Sequence, residues 1–308
     1  MTGSGPTLRF DGRVVIVTGA GGGLGRAHAL ALAARGASVV VNDLGTGVDG
    51  RGSDASAADA VVDEIVRAGG RAVASAHDVT DPDQAAAAVA LALERFGGLH
   101  VLVNNAGILR DRSFAKMDAA DFEAVLAVHL LGAAYVTRAA WPHMLDRRYG
   151  RVVMTTSHAG LHGNFGQANY AAAKMGVVGL MAALAQEGAR AGVLVNTLAP
   201  LAATRMANAS SLRSIEHLLD ARAATAVTLR LAHERMTETG LIITAAGRHV
   251  GRVRVVEDEG ITLDADAVTP EAVAERWPEI LAAARPRSYA SAFDRVAALF
   301  PEIRGLAG

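Results

Sequence analysis

The chain has 308 residues, 51% hydrophobic and 20% charged, the balance of a globular protein with a substantial core. Thirty basic residues against 31 acidic ones leave a formal net charge of −1, and no basic stripe alternates with aromatics, which argues against a nucleic-acid partner. Cysteine is absent, which excludes disulfides, thiolate catalysis and cysteine-based metal sites together.

Residues 1–6 are small and polar, without the charged-then-apolar layout of a secretory signal. Gly, Asn or charge interrupts the apolar stretches before they reach the roughly 18 residues that a membrane span needs. The expectation is therefore a cytoplasmic protein without a membrane span. Short β-branched runs at 14–17, 38–41, 72–76, 101–104, 151–155, 193–198 and 241–244 alternate with Ala/Leu-rich helical stretches at 24–35, 56–68, 84–96, 121–145, 169–190 and 215–234. The first runs are nearly all apolar rather than alternating, the pattern of strands buried on both faces of a parallel sheet. The alternation predicts an α/β, Rossmann-type doubly wound parallel sheet of about seven strands with helices on both faces. Residues 44–53, rich in Gly and Asp, read as a mobile loop. Beyond 251 a strand at 253–256 and helices at 270–284 and 288–299 are expected, with Pro270 in a first helical turn. No repeat or long linker divides the chain. It reads as one domain over 1–308, with 252–308 as a C-terminal extension packed on it.

After the first strand comes Thr18-Gly19-Ala20-Gly21-Gly22-Gly23-Leu24-Gly25, and then a helix. Glycines between strand and helix let the backbone approach a pyrophosphate, which the free N–H groups of the helix then meet. Glycine clusters also mark plain turns, so position carries the argument. Asp43, at the end of the second strand, lies 18 residues past Gly25, near the ~20 expected of an acid that bonds the adenosine ribose hydroxyls. Asp78 and Val79 close the third strand, where an adenine would be met. The cofactor residues expected here are Gly19, Gly21, Gly23, Leu24, Gly25, Asp43, Asp78 and Val79, and the acid at 43 points to NAD.

Tyr170 and Lys174 share one face of a helix. An ammonium beside a phenol favours phenolate, so the pair is expected to lower the Tyr170 pKa and make it a proton donor or acceptor. Ser157, at the end of the fifth strand, is placed to hold the substrate oxygen. Lys174 is one of only two lysines, the other being Lys116, which weakens chance as an explanation.

TGAGGGLG at 18–25, NNAG at 104–107, Ser157 and Tyr170-x-x-x-Lys174 together resemble the short-chain dehydrogenase/reductase family over about residues 10–250. The resemblance implies that Asn105, Ala106 and Gly107 help close the cofactor site. It also implies that Lys174 bonds the nicotinamide ribose, and that Pro200 and Thr204 lie near the carboxamide. A narrower likeness is to the dehydrogenase part of the type 2 peroxisomal multifunctional enzymes, carried by NNAGILRDRSF (104–114), VHLLGAAYVTRAAWPHM (128–144), GNFGQANYAAAK (163–174) and TPEAVAERW (269–277). It implies oxidation of a (3R)-hydroxyacyl-CoA or a 17β-hydroxysteroid, with the hydratase step on another chain.

His129 stands where the wider family has Asn. It is either a brace that lines a proton relay or a core histidine with both nitrogens satisfied. His162 stands where the relatives tend to have Tyr, and Pro200-Leu201 replaces the usual Pro-Gly. Leu109, His158, Leu161, His162, Phe165, Leu201 and Met206 form the expected substrate wall, and no metal is expected. The small residues Ala133, Ala134, Ala139, Ala172, Ala173, Gly176 and Gly179 on helices 121–145 and 169–190 are expected to pair copies into a homodimer or homotetramer. Two rival readings are an NADPH-dependent 3-oxoacyl reductase, against which Asp43 argues, and a catalytically silent scaffold subunit, against which the complete Ser/Tyr/Lys set argues.

Overall fold

In the computed structural model, strands β1 (Val14–Thr18), β2 (Ser38–Asn42), β3 (Arg71–Ser75), β4 (Val101–Asn104), β5 (Gly150–Thr155), β6 (Val193–Leu201), β7 (Ile242–Ala246) and β8 (His249–Val253) form one sheet in the spatial order 3-2-1-4-5-6-7-8. Residues 7–202, 220–282 and 285–300 are described. Strands β1 to β7 run parallel, with Val15 opposite both Val39 and Val101. Every residue of β1, β2 and β4 is buried, as their unbroken apolar runs require. Helices α1 (Gly23–Ala33), α2 (Ser56–Arg67) and α3 (Pro82–Phe96) alternate with these strands, followed by α4 (Ala119–Leu126), α5 (Gly132–Asp146), α6 (His158–His162), α7 (Ala168–Ala189) and α8 (Ala221–Ala232). Helices α1, α2 and α8 pack side by side on one face of the sheet, and α3, α5 and α7 on the other.

Local chemistry sets several boundaries. Asp81 caps α3 by accepting from the N–H groups of Asp83 and Gln84, Pro82 opens its first turn, and Gly97 ends it at φ 77°. Asp118 caps α4 in the same way. Core side chains such as Ile16, Leu32 and Leu102 are fully buried, each worth about 1.5–3 kcal/mol relative to exposure. The strand order reverses between β1 and β4, which opens a crevice at the carboxyl ends of the strands.

Several expectations need correction. The eighth strand lies at His249–Val253 rather than 253–256, joined to β7 by the two-residue turn Gly247-Arg248, with Gly247 at φ 56°. It is an edge strand with mostly exposed residues, so no apolar run announces it. The helix expected over 121–145 is interrupted by a π-helical turn at Ala127–Leu131. Loop 44–53 is tied down: Leu109 N–H donates to the Val48 carbonyl at 2.8 Å and Arg110 Nε to the Asp49 carbonyl at 2.8 Å. By length and composition, Ala119–Asp146 and Ala168–Ala189 are long and apolar enough to cross a membrane, because alanine fills the gaps between their polar residues. In this fold one face of each packs inward, with Val136, Ala140, Val177 and Met181 buried.

The chain divides into two compact units, Met1–Arg252 and Val253–Gly308. In the second, Glu257 and Arg287 form an antiparallel bridge. The expected helix 270–284 is two short ones, α9 (Pro270–Glu275) and α10 (Trp277–Ala282), with Pro278 just past their junction. Helix α11 (Ala292–Leu299) is capped by Ser291, and Arg295 pairs with Glu257.

Candidate active site

The glycine-rich turn lies against the end of β4. A Cβ on Gly19, which sits at φ 63°, would lie 2.7 Å from the Ala106 Cα, and one on Gly25 would lie 2.1 Å from the Gly19 carbonyl oxygen. Thr18 Oγ1 accepts from the N–H groups of Asn105 and Ala106, and Asn105 Nδ2 donates to the carbonyls of Thr18 and Gly19. The turn is thereby held open beneath α1. No side chain caps that helix at Gly22, so its first N–H groups face the crevice. An uncapped helix start beside backbone without Cβ atoms suits a pyrophosphate.

Asp43 stands at the rim of the same crevice. Its Oδ2 accepts from Gly21 N–H and its Oδ1 from Gly45 N–H, both at 2.7 Å. These bonds fix the carboxylate over the turn, with acceptor capacity left for a further donor. Asp78 and Val79 line the next part, and Asp78 Oδ1 is held by the N–H and hydroxyl of Thr80, both at 2.8 Å. The whole cleft is about 690 Å³. Gly19, Gly23, Leu24, Asp43, Asp78, Val79, Asn105, Ala106, Gly107 and Pro200 all line it. Gly21 and Gly25 do not. Their part is to meet Asp43 and to let α1 start close to the turn. Thr204 and Met206 lie outside the described residues.

At the other end of the cleft are Ser157, Tyr170 and Lys174. Tyr170 and Lys174 occupy consecutive turns of α7, and Thr156 Oγ1 bonds the Lys174 carbonyl at 2.7 Å, which pins that helix to the end of β5. Ser157 Oγ accepts from Ala159 N–H at 3.2 Å and faces the same end of the cleft as Tyr170. Lys174 Nζ lies 5.7 Å from the centre of the Tyr170 ring and donates to the Thr155 carbonyl at 2.6 Å.

The expected lowering of the Tyr170 pKa is not what this site shows. Burial pushes the phenol above its usual value, against the opposing effect of the Ser157 hydrogen bond, and the Asp111 charge raises it further. Lys174 contributes no compensating pull because burial holds its own pKa down at about 7. Excluding water disfavours both charged forms.

His129 sits in the π-helical turn, a distortion that recurs at functional sites. Its Nε2 lies 2.8 Å from the Ile108 carbonyl and 3.0 Å from the Ile108 N–H, and its ring meets Tyr170 edge-on at 5.0 Å. Its buried Nδ1 has no partner among the described residues, so the fully satisfied core histidine is excluded. Burial and the nearby Lys174 keep the ring well below the usual imidazole range and therefore neutral.

Sequence reasoning missed three supporting side chains. Asn169 Nδ2 bonds the carbonyls of Arg110 and Asp121 and its Oδ1 receives Tyr170 N–H, so it anchors the start of α7. Arg110 pairs with Asp121 at 3.2 Å and also reaches loop 44–53. Asp111, whose carboxyl burial pushes up, receives Gln167 Nε2 at 2.7 Å. Their signal was present in RDRSF and QANY, but the partners lie tens of residues apart. Of the expected substrate wall, Leu109, His158, His162 and Leu201 line the cleft. Leu161 does not, and Phe165 is 89% exposed and outside it. Leu161 falls on the other side of the single-turn helix α6 from His158 and His162.

A carboxylate at the rim, an uncapped helix start and half-buried Ser157 and Tyr170 beside the buried Lys174 in one cleft suit hydride transfer to or from a dinucleotide. Over residues 13–215 the sequence matches the short chain dehydrogenase family. The chain belongs to that family. It is 47% identical over 275 residues to peroxisomal multifunctional enzyme type 2 of Mus musculus, covering 89% of this chain and 37% of that one. The structure of full-length peroxisomal multifunctional enzyme type 2 from Drosophila melanogaster matches with a TM-score of 0.81 at 38% identity, covering 97% of this chain and 51% of that one. A 7α-hydroxysteroid dehydrogenase complexed with NADH and 7-oxo glycochenodeoxycholic acid matches at a TM-score of 0.71 and 29% identity, over 78% of this chain and 95% of that one. This chain therefore spans about a third of the mouse enzyme and about half of the fly enzyme.

The narrower likeness to the dehydrogenase part of the type 2 enzymes holds in sequence and in structure. As a family member the chain is an oxidoreductase that binds a nicotinamide cofactor and acts on a small molecule. The expected cytoplasmic location is overturned. Relatives from Neurospora crassa, Dictyostelium discoideum, Mus musculus, Saccharomyces cerevisiae and Drosophila melanogaster are all named as peroxisomal enzymes.

Proposed function

We propose that this protein is an NAD-dependent dehydrogenase that oxidises a secondary alcohol on a bulky apolar carrier, foremost a (3R)-hydroxyacyl-CoA. The observation that carries the cofactor choice is Asp43. Its carboxylate is fixed by two backbone N–H groups where the adenosine ribose would lie, accepting from ribose hydroxyls and repelling a 2′-phosphate. That argues against the NADPH-dependent reductase. The complete Ser157/Tyr170/Lys174 group argues against a silent scaffold. The substrate is supported by the name of a relative from Mycobacterium tuberculosis, a hydroxyacyl-CoA dehydrogenase 44% identical over 212 residues, and by a cleft walled by Ile108, Leu109, Val128 and Leu201.

NAD⁺, held by the glycine turn, Asp43, Asp78 and Lys174, would supply the hydride acceptor. Ser157 hydrogen-bonds the carbinol oxygen. The Tyr170 phenolate takes the hydroxyl proton as the C–H bond breaks and the carbonyl forms. Lys174 would bond the nicotinamide ribose of the bound cofactor beside Tyr170. His129 and Asn169 are positioning residues. The first braces the loop at Ile108 and buttresses the Tyr170 ring, and the second fixes the start of α7. The protein is proposed to act as a symmetric homodimer or homotetramer.

The test is NADH formation on mixing protein, NAD⁺ and (3R)-hydroxyacyl-CoAs of increasing length, with the (3S) epimers and a 17β-hydroxysteroid as comparators. Turnover should rise with chain length and favour (3R), because remote binding energy lowers the barrier. A flat series without stereochemical preference overturns the substrate assignment, and no NADH from any alcohol overturns the dehydrogenase reading.

A further inference from the structure

The helix that begins at the reacting end of the cleft carries two imidazoles that the hydride transfer does not use. Ser157 is the N-cap of α6, with extended backbone, and its Oγ accepts from Ala159 N–H at 3.2 Å. His158 is the first helical residue and His162 lies one turn on, so both rings fall on the same side of α6. The rings stack at 6.3 Å between centroids and 24° between planes, and both line the cleft. Helix α6 is held closely against α7. A Cβ on Gly160 would lie 2.7 Å from the Lys174 Cβ, so the glycine permits the approach that fixes the imidazole pair beside the Ser/Tyr/Lys group.

His158 Nε2 is buried and has no hydrogen-bond partner among the described residues. A polar nitrogen left in that state costs free energy unless something completes it. Burial and the neighbouring His162 keep His158 below the usual imidazole range, so the ring is neutral at neutral pH and offers one N–H and one lone pair. A neutral ring of this kind suits a neutral oxygen, such as a carbonyl. Ser157 and His158 are consecutive residues and both line the reacting end of the cleft, so one substrate can reach both. In a β-hydroxy thioester, one methylene separates the carbinol carbon from the thioester carbonyl. An isolated secondary alcohol, such as that of a 17β-hydroxysteroid, has no acceptor there.

We propose that His158, backed by His162, is a specificity-determining residue whose imidazole N–H binds a carbonyl oxygen one methylene from the reacting carbinol, which selects β-hydroxyacyl thioesters over isolated secondary alcohols. The inference rests on the dehydrogenase reading above and names what sets its substrate class. The substrate carbonyl would complete a nitrogen that the fold leaves unpaired, on the residue next to the one that holds the carbinol oxygen. His162, exposed to solvent, lies roughly parallel beside the His158 ring.

The experiment compares (3R)-hydroxyhexanoyl-CoA with its thioether analogue, in which a methylene replaces the thioester carbonyl. Wild-type kcat/KM should favour the thioester by about tenfold or more, the worth of one buried hydrogen bond. His158→Phe should cut that preference to within about threefold, and His158→Asn, which keeps a donor, should retain most of it. Calorimetric NAD⁺ binding checks that each variant is folded, and if the Phe variant fails that check, His158→Leu replaces it. The proposal is overturned if His158→Phe keeps the wild-type preference, or if the wild type has none. Oxidation of other alcohols by a wild type indifferent to the carbonyl would overturn this inference while leaving the dehydrogenase reading standing. Absence of NAD-linked turnover on any alcohol would overturn both.

Discussion

Lys174 donates its ammonium to the Thr155 backbone carbonyl at 2.6 Å while standing 5.7 Å from the centre of the Tyr170 ring. In the free site it is thus a neighbour of the phenol rather than its ion-pair partner, and burial raises the phenol. The phenolate must therefore be stabilised by what binds, and the positive charge of NAD⁺ is the available source. In free protein, the Tyr170 titration, read as the ultraviolet difference between wild type and Tyr170→Phe, should lie above the usual tyrosine value near 10. The pH limb of kcat for alcohol oxidation should lie well below it. Coincidence of the two would show that the cofactor does not tune the site. Tyr170→Phe should lower kcat at least a thousandfold with NAD⁺ affinity nearly intact, on the scale of general acid–base contributions of about 10²–10⁴.

The same lysine sets a stability prediction. Its folded pKa of about 7 lies below the ordinary 10.5, so between those values the folded free protein holds fewer protons than the unfolded chain. Stability then rises with pH across that window, and below about pH 7 the cost of burying the ammonium is present in full. Lys174→Met should flatten this rise and raise Tm at neutral pH, by about 2–4 °C for each kcal/mol relieved, while abolishing turnover. Calorimetry across the window checks it. A lower Tm for the variant at neutral pH would count against the ammonium being a burden.

For Asp43, two unit charges ~4 Å apart at an effective dielectric constant of ~20 repel by about 4 kcal/mol, less where solvent reaches them. Wild-type kcat/KM should favour NAD⁺ over NADP⁺ by about a hundredfold. Asp43→Ala should raise the KM for NAD⁺ about tenfold and erase most of the discrimination. Equal use of both cofactors by the wild type sinks this reading.

Gly107 faces His129 so closely that a Cβ would lie 2.2 Å from its Cε1. Gly107→Ala should push the imidazole off Ile108 and against Tyr170, lowering kcat by about tenfold to a hundredfold, the cost of misplacing a catalytic group. The circular dichroism spectrum should not change. Wild-type kcat in the alanine variant would mean that His129 has room to give.

Helix α7 presents Ala172, Met175 and Gly179 to solvent, and a Cβ on Gly179 would meet nothing within 4 Å. Ala133 and Ala173 are buried within the subunit and Gly176 is covered by Leu130, so only part of the expected small-residue surface is free to pair. Gly179→Arg should reduce a dimer or tetramer to a 31.7 kDa species by light scattering. A wild type that is already monomeric at micromolar concentration refutes the pairing.

The sequence alone determined what is local. Apolar runs separated by helical stretches specified the doubly wound sheet, because a strand buried on both faces must be apolar throughout. The glycines at 19–25, the acid at 43 and the one-turn spacing of Tyr170 and Lys174 were legible because each depends on a few consecutive residues. The edge strand at His249–Val253 was not, since exposed residues carry no burial pattern. Neither was the tethering of loop 44–53, nor the anchoring of α7 through Asn169 to Arg110 and Asp121. The tertiary structure decided whom Lys174 bonds, which nitrogen of His129 is left over and that Phe165 faces outward. It also decided that water is kept from Tyr170, so that its pKa moves up rather than down. These outcomes depend on segments distant in the chain meeting across one cleft, and on how much solvent that meeting excludes.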